Sequence, residues 1–210
     1  AQTGKKMILS TGMSNMDEVE NSVKYVLKNG CNDLAVLHCI SNYPTKNEDL
    51  NLNAIKTMKE HLSLIKKDIE IGFSDHTVGI TTPIASAALG VCILEKHFTL
   101  DNSKIGMDNQ MATEPAEFKA MINSIFSVYR SLGSQDRLIS EDEMCQRSKM
   151  RRSAVAVSDL CSGHVLSLDD VCFMRPGDGI PPNEIDLFIG HKLLRHVEKG
   201  CILKNSYFLL

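Results

Sequence analysis

An excess of cations is missing from this chain. Its 23 Lys and Arg face 26 Asp and Glu, a formal net charge of −3, which argues against a general phosphate-backbone binder whose affinity rests on positive charge. Nucleic acid is not an expected partner. A long apolar run is missing as well: the most apolar stretch, residues 80–94, contains Thr81, Thr82 and Pro83 and falls short of the roughly 20 residues needed to span a bilayer. No transmembrane helix, signal peptide or membrane partner is expected. The seven cysteines, at 31, 39, 92, 145, 161, 172 and 201, include no CxxC pair, so neither a zinc ribbon nor a disulfide framework is indicated. The expectation is reduced, mostly buried thiols in a cytoplasmic protein. Internal repeats and low-complexity tracts are lacking too. What is present, 43% apolar and 23% charged residues over 210 positions, suits one large globular domain or a medium domain plus a small one.

Short β-prone runs at residues 7–9, 34–37, 69–73 and 91–94 alternate with helical patterns, a βαβα rhythm. The first helix is expected to begin after Ser14 or Asn15, with Asp17 and Glu18 in its first turn, and to end near Gly30. Further helices are expected at 52–65, 80–88 and 115–132, the last opened by Pro115 and stopped by Gly133. Residues 1–6 read as the end of a helix stopped at Gly4. Four strand-to-helix units imply a parallel sheet covered by helices. They cannot close an eight-stranded barrel, so they form an open sheet or half of a barrel. The expected layout is a partial barrel over 1–133, a polar linker with one short helix over 134–150, and a small loop-rich β module over 151–210.

Each strand-like run ends in a polar cluster: Ser10-Thr11-Gly12, His38-Cys39-Ile40-Ser41-Asn42-Tyr43, Ser74-Asp75-His76 and Glu95-Lys96-His97. The carboxyl ends of parallel strands open on one face, and there α/β folds place their chemistry. One shared site is implied. His76 and His97 follow matching strand ends and have acidic neighbours, a pattern that favours a metal pair over two unrelated structural histidines. Asp75 and Glu95 are candidates to orient the imidazoles or substrate hydroxyls.

In order along the chain, Ile8-Leu9-Ser10-Thr11-Gly12-Met13, Leu37-His38-Cys39 with Tyr43-Pro44, Gly72-Phe73-Ser74-Asp75-His76-Thr77, Glu95-Lys96-His97-Phe98-Thr99-Leu100-Asp101 and Arg175-Pro176-Gly177 resemble the motifs of the N-acetylneuraminate (sialic acid) synthase family. The resemblance implies the C-terminal half of a (β/α)8 TIM barrel, strands five to eight, followed by a small antifreeze-like (SAF) domain. It further implies condensation of phosphoenolpyruvate with an N-acylated amino sugar, N-acetylmannosamine or a relative, to a nine-carbon 2-keto sugar acid and phosphate. Such a reaction uses a Lewis acid on the aldehyde oxygen and a cradle for phosphate and carboxylate.

By that resemblance His76 and His97 hold a divalent metal, with Mn2+ the expected ion and Mg2+ or Co2+ the alternatives, and act with Glu95 in catalysis. Ser10, Ser41 and Ser74 match phosphoenolpyruvate-holding positions, although some members have Asn where Ser41 stands. Tyr43 lies beside the amino sugar, and Asp108 binds its hydroxyls. Arg175 reaches the N-acyl group from the partner subunit, which implies a domain-crossed homodimer. His38 and Cys39 read as packing residues. The family's earlier motifs, including the lysines that meet phosphoenolpyruvate, are not found here, so catalysis is expected to need the whole barrel. The competing expectation is a non-catalytic sugar- or phosphate-binding and dimerisation unit.

Overall fold

A computed structural model describes residues 1–209 of the protein. The chain divides into two compact units, Ala1–Ser134 and Gln135–Leu210.

The first unit is built on a curled sheet of four parallel strands in the order β1-β2-β3-β4: β1 (Met7–Ser10), β2 (Leu34–Cys39), β3 (Glu70–Asp75) and β4 (Ile93–Lys96). Between and after them run α1 (Met16–Lys28), α2 (Ala54–Ile65), α3 (Thr81–Ala87) and α4 (Pro115–Leu132). The βαβα reading is met, and the strands continue past their apolar runs into the polar clusters, as far as Cys39 and Asp75. Helix α1 starts at a reciprocal cap: Asn15 Oδ1 accepts from the Glu18 amide at 3.0 Å while Glu18 Oε2 accepts from the Asn15 amide at 2.9 Å, satisfying two donors that helix formation leaves bare. Its apolar stripe of Met16, Val19, Val23, Val26 and Leu27 then meets the sheet, and Ile55, Met58 and Leu62 of α2 do the same. Residues 1–6 form a turn with Gly4 at φ 69°, not a helix end.

Period-two alternation sorts the strand residues onto two faces. Leu34, Val36, Ile71 and Phe73 form the buried core with the helices, and Met7, Leu9 and Leu94 pack against it. The opposite face carries Ile8 and Ser10, Leu37 and Cys39, Gly72 and Ser74, then Ile93 and Glu95. It is the less covered one, with Ile8 52% exposed. Beyond the sheet edge, α3, β4 and α4 line an apolar cavity of about 430 Å³ that includes Ile125, Phe126 and Tyr129.

In the second unit α5 (Glu141–Met150), capped by Ser140, leads to an antiparallel pair, β5 (Ser153–Ala156) and β6 (Val171–Met174). The rest is turns, short 3-10 segments and single bridges around Ala154, Leu160, Leu166, Ile180, Ile185, Phe188, Leu193, Leu203 and Phe208. The run expected at 165–166 contributes one bridge, Val165 to Lys192, in place of a strand.

The cysteine expectation needs correction. All seven thiols are free, but only Cys31 and Cys39 are buried, whereas Cys92, Cys145, Cys161 and Cys201 are exposed. The exposed four lie outside the two cores, on α5 and in connecting segments of the chain.

His164 and Asp170 give the small unit an acid-sensitive clip. Burial pushes the Asp170 carboxyl up, but the His164 imidazole at 2.9 Å and the amide and hydroxyl of Ser167 outweigh it and hold the group below the usual 3.8. A depressed carboxyl stabilises the fold above its unfolded pKa and loses that contribution as pH falls through the folded value. Asp170→Asn is therefore expected to melt below wild type at pH 7, with the gap closing well below pH 4, as followed by circular dichroism; a gap that persists at pH 2 contradicts the assignment.

Candidate active site

The polar strand ends meet because β3 and β4 are in register, with Ser74 opposite Glu95 and Asp75 opposite Lys96. On the less covered face the Ser74 hydroxyl donates to Glu95 Oε1 at 2.7 Å and lies 3.5 Å from His76 Nε2. One step further along each strand, the His76 and His97 rings stand edge to face, 5.1 Å between centroids. The Tyr43 ring leans over His76 at 4.2 Å and reaches within 5.8 Å of His97. The loop carrying it is fixed by Thr45, whose amide donates to the His76 carbonyl at 2.9 Å and whose hydroxyl donates to the Asn42 carbonyl at 2.8 Å. The Tyr43–Pro44 peptide bond is cis.

Hydrogen bonding assigns the imidazole faces. His76 Nδ1 is 2.8 Å from the Ile40 carbonyl oxygen, which makes Nδ1 the N–H and leaves Nε2 a free lone pair on the Ser74 and Glu95 side. His97 Nδ1 faces Asp108 Oδ2 at 3.7 Å. A ring nitrogen engaged by a carbonyl or carboxylate, with the other left open, is the arrangement that metal-binding histidines use. No group of three or more His, Cys, Asp or Glu among the described residues could hold an ion. The donor set present is thus two imidazoles, which fits an open site completed by water and substrate oxygens.

Six of the residues singled out from sequence, Tyr43, Ser74, His76, Glu95, His97 and Asp108, come together here. Ser10 ends β1 on the same face, and Ser41 follows β2. Gly12 makes their loops fit, since a Cβ there would overlap the Ser41 hydroxyl. Asp108 is held by a loop that Asn109 ties down, donating to the carbonyls of Asp101 and Lys104 at 2.7 and 2.8 Å. Arg175 belongs to the second unit, where its Nε donates to the Met150 carbonyl at 3.1 Å. His38 packs as expected, stacked on Phe73 with Nε2 bonded to the Leu50 carbonyl at 2.8 Å. Cys39 Sγ lies 4.0 Å from His76 Nδ1.

Asp75 departs from its expectation. It turns to the helix-covered face, where it accepts from Lys96 Nζ at 2.7 Å, the Thr77 amide at 3.0 Å and the Thr77 and Thr82 hydroxyls. It orients no imidazole directly. Sequence reading assigned Lys96 no role; the signal was its place between Glu95 and His97, which on a strand forces its side chain under the helices and demands a buried anion as partner.

Comparison with known proteins supplies the family. The NeuB family model matches residues 1–137, and the SAF domain model matches residues 151–209. An uncharacterized protein of Methanocaldococcus jannaschii is 43% identical over 97% of this chain and 59% of its own length. The N,N'-diacetyllegionaminic acid synthase of Legionella pneumophila is 37% identical over 94% of this chain and 55% of its own. Among solved structures, an N-acetylneuraminic acid (sialic acid) synthetase from Leptospira borgpetersenii, crystallised with citrate, superposes with a TM-score of 0.61 at 33% identity over 69% of this chain and 48% of that one. The chain spans 55–59% of the length of these two curated relatives. On the match of the NeuB model over residues 1–137, and of relatives across nearly the whole chain, the protein belongs to the NeuB family.

Proposed function

We propose that this chain forms the C-terminal half of a cytoplasmic sialic acid synthase-type site that joins phosphoenolpyruvate to an N-acylated amino sugar, N-acetylmannosamine or a diacetamido relative. The observation that carries the reading is the His76–His97 pair at adjacent strand ends, with the Tyr43 ring above it and the Ser74–Glu95 bond beside it. His76 and His97 would hold a divalent metal, Mn2+ by preference, which when bound polarises the aldehyde oxygen.

The remaining roles follow from side-chain chemistry. Ser10 and Ser41 offer neutral hydroxyl donors to the phosphate and carboxylate of phosphoenolpyruvate, and Ser74 joins them when its one hydrogen turns from Glu95 Oε1 to the ligand. Before the ligand binds, Glu95 Oε1 accepts the Ser74 hydrogen and so holds that side chain in the site, and its other oxygen is available to take a proton from the attacking water. In the net reaction C3 of phosphoenolpyruvate bonds to the aldehyde carbon, water adds its oxygen at C2, the C2–O bond to phosphorus breaks, and the aldehyde oxygen ends as a hydroxyl. Tyr43 flanks the sugar and Asp108 binds its hydroxyls. Arg175 serves the N-acyl group from the partner protomer of a domain-crossed homodimer.

Cationic groups for the phosphate are absent from the cluster, so the site works with further β/α units. The 210-residue chain alone is expected to release no phosphate from phosphoenolpyruvate in the presence of the sugar and Mn2+, while the chain joined to those units turns over. Turnover by the chain alone overturns the half-site reading; no turnover by the extended protein across N-acetylmannosamine and the diacetamido sugars overturns the synthase reading.

A further inference from the structure

The Lys96–Asp75 ion pair lies on the face of the sheet away from the chemistry, with side chains 1% and 0% exposed and Nζ 2.7 Å from Oδ2. We propose that this pair is a positioning device that sets the spacing of the His76 and His97 imidazoles, a role whose catalytic meaning rests on the metal-pair reading above. The β3–β4 register ends at Asp75 opposite Lys96. The residue that follows each strand is a histidine, so the last paired position fixes where both imidazoles start.

Lys96 does more than close the register. Its ammonium also donates to the Thr77 carbonyl at 2.8 Å, so the residues on both sides of His76 are tied to the one residue that precedes His97. Asp75 fixes the same turn from its own side by accepting from the Thr77 amide at 3.0 Å and from the hydroxyls of Thr77 and Thr82. A buried ion pair is a poor source of stability, because desolvation offsets the attraction and apolar pairs of similar size often serve as well. Its distinctive contribution is direction: an ammonium with two acceptors at 2.7 and 2.8 Å admits far fewer arrangements than a methionine against a leucine. Stability and geometry are therefore separable by substitution.

The test uses the complete 210-residue chain with 15N-labelled histidines. Two readouts are taken: the cross-ring nuclear Overhauser effect between His76 and His97, and Mn2+ affinity by electron paramagnetic resonance. Lys96→Met leaves a buried carboxylate unpaired and can impair folding, so the doubly apolar Asp75→Leu/Lys96→Met variant is measured beside it. With far-UV circular dichroism unchanged, either variant is expected to lose the cross-ring effect and to bind Mn2+ about tenfold or more weakly, the usual cost of losing support behind a ligand. A folded double variant that keeps the cross-ring effect overturns the proposal. Wild type that binds Mn2+ no better than His76→Ala sinks the metal reading instead, and the cross-ring effect alone then decides the role of the pair.

Discussion

His76→Ala, made in a protein that joins this chain to its further β/α units, is expected to lower kcat for phosphoenolpyruvate-dependent phosphate release by about three orders of magnitude or more, the equivalent of roughly 4 kcal/mol of transition-state stabilisation. The size follows from how few donors the site has. Two imidazoles are what the described residues of this chain bring to the proposed metal shell, so removing one leaves the chain a single ligand. His76 is also the residue on which the others converge: Tyr43 packs on its ring, Ser74 faces its Nε2, and Thr45 holds its backbone. A loss in kcat, with the circular dichroism spectrum of wild type, is the predicted signature. Activity within twofold of wild type removes His76 from the metal shell.

Much of that cluster was legible in the sequence because strands impose a strict rule. In Glu95-Lys96-His97 and Ser74-Asp75-His76 the outer members share a face, so reading both triplets at a strand end places Ser74, Glu95, His76 and His97 together without further information. The same rule, applied to the middle members, would have turned Asp75 and Lys96 away from the site and toward each other. Adjacency in a motif obscured it: Asp75 stands between two site residues in sequence and on the opposite side of the sheet in space.

What no period encodes stayed hidden. The loop that brings Asp108 to 3.7 Å from His97 is held by Asn109 bonding to the carbonyls of Asp101 and Lys104, contacts that depend on the path of an irregular segment. The hydrogen bond from His76 Nδ1 to Ile40 likewise joins residues 36 positions apart. In the small unit outside the β5–β6 ladder, β-prone residues at 165 and 166 did not make a strand because among the described residues Val165 pairs at one position, Lys192.

Gly72→Val carries the largest expected structural effect. Gly72 sits on the site-side face in a cross-strand row with Leu37 and Ile93. A Cβ at 72 would overlap the Leu37 side chain and stand 2.6 Å from the Ile93 carbonyl oxygen. The Leu37 side chain can rotate away, at a cost; the carbonyl is part of the β4 backbone and yields only if the two strands part. Overpacking of this kind costs about 1–3 kcal/mol where side chains absorb it and more where backbone must move, so a loss of roughly 3 kcal/mol or more is expected. Chemical denaturation should show the transition of unit Ala1–Ser134 shifted to lower denaturant, with that of unit Gln135–Leu210 unchanged. Gly163→Ala is the control: φ there is +84° with nothing within 4 Å, so it pays only left-handed backbone strain of about 1–2 kcal/mol. If Gly72→Val unfolds with the wild-type midpoint, the close row Leu37–Gly72–Ile93 is not what curls the sheet. If it destabilises as expected, the absence of a side chain at 72 is what lets β2, β3 and β4 lie close on the site-side face, where Ser74 and Glu95 are the next pair.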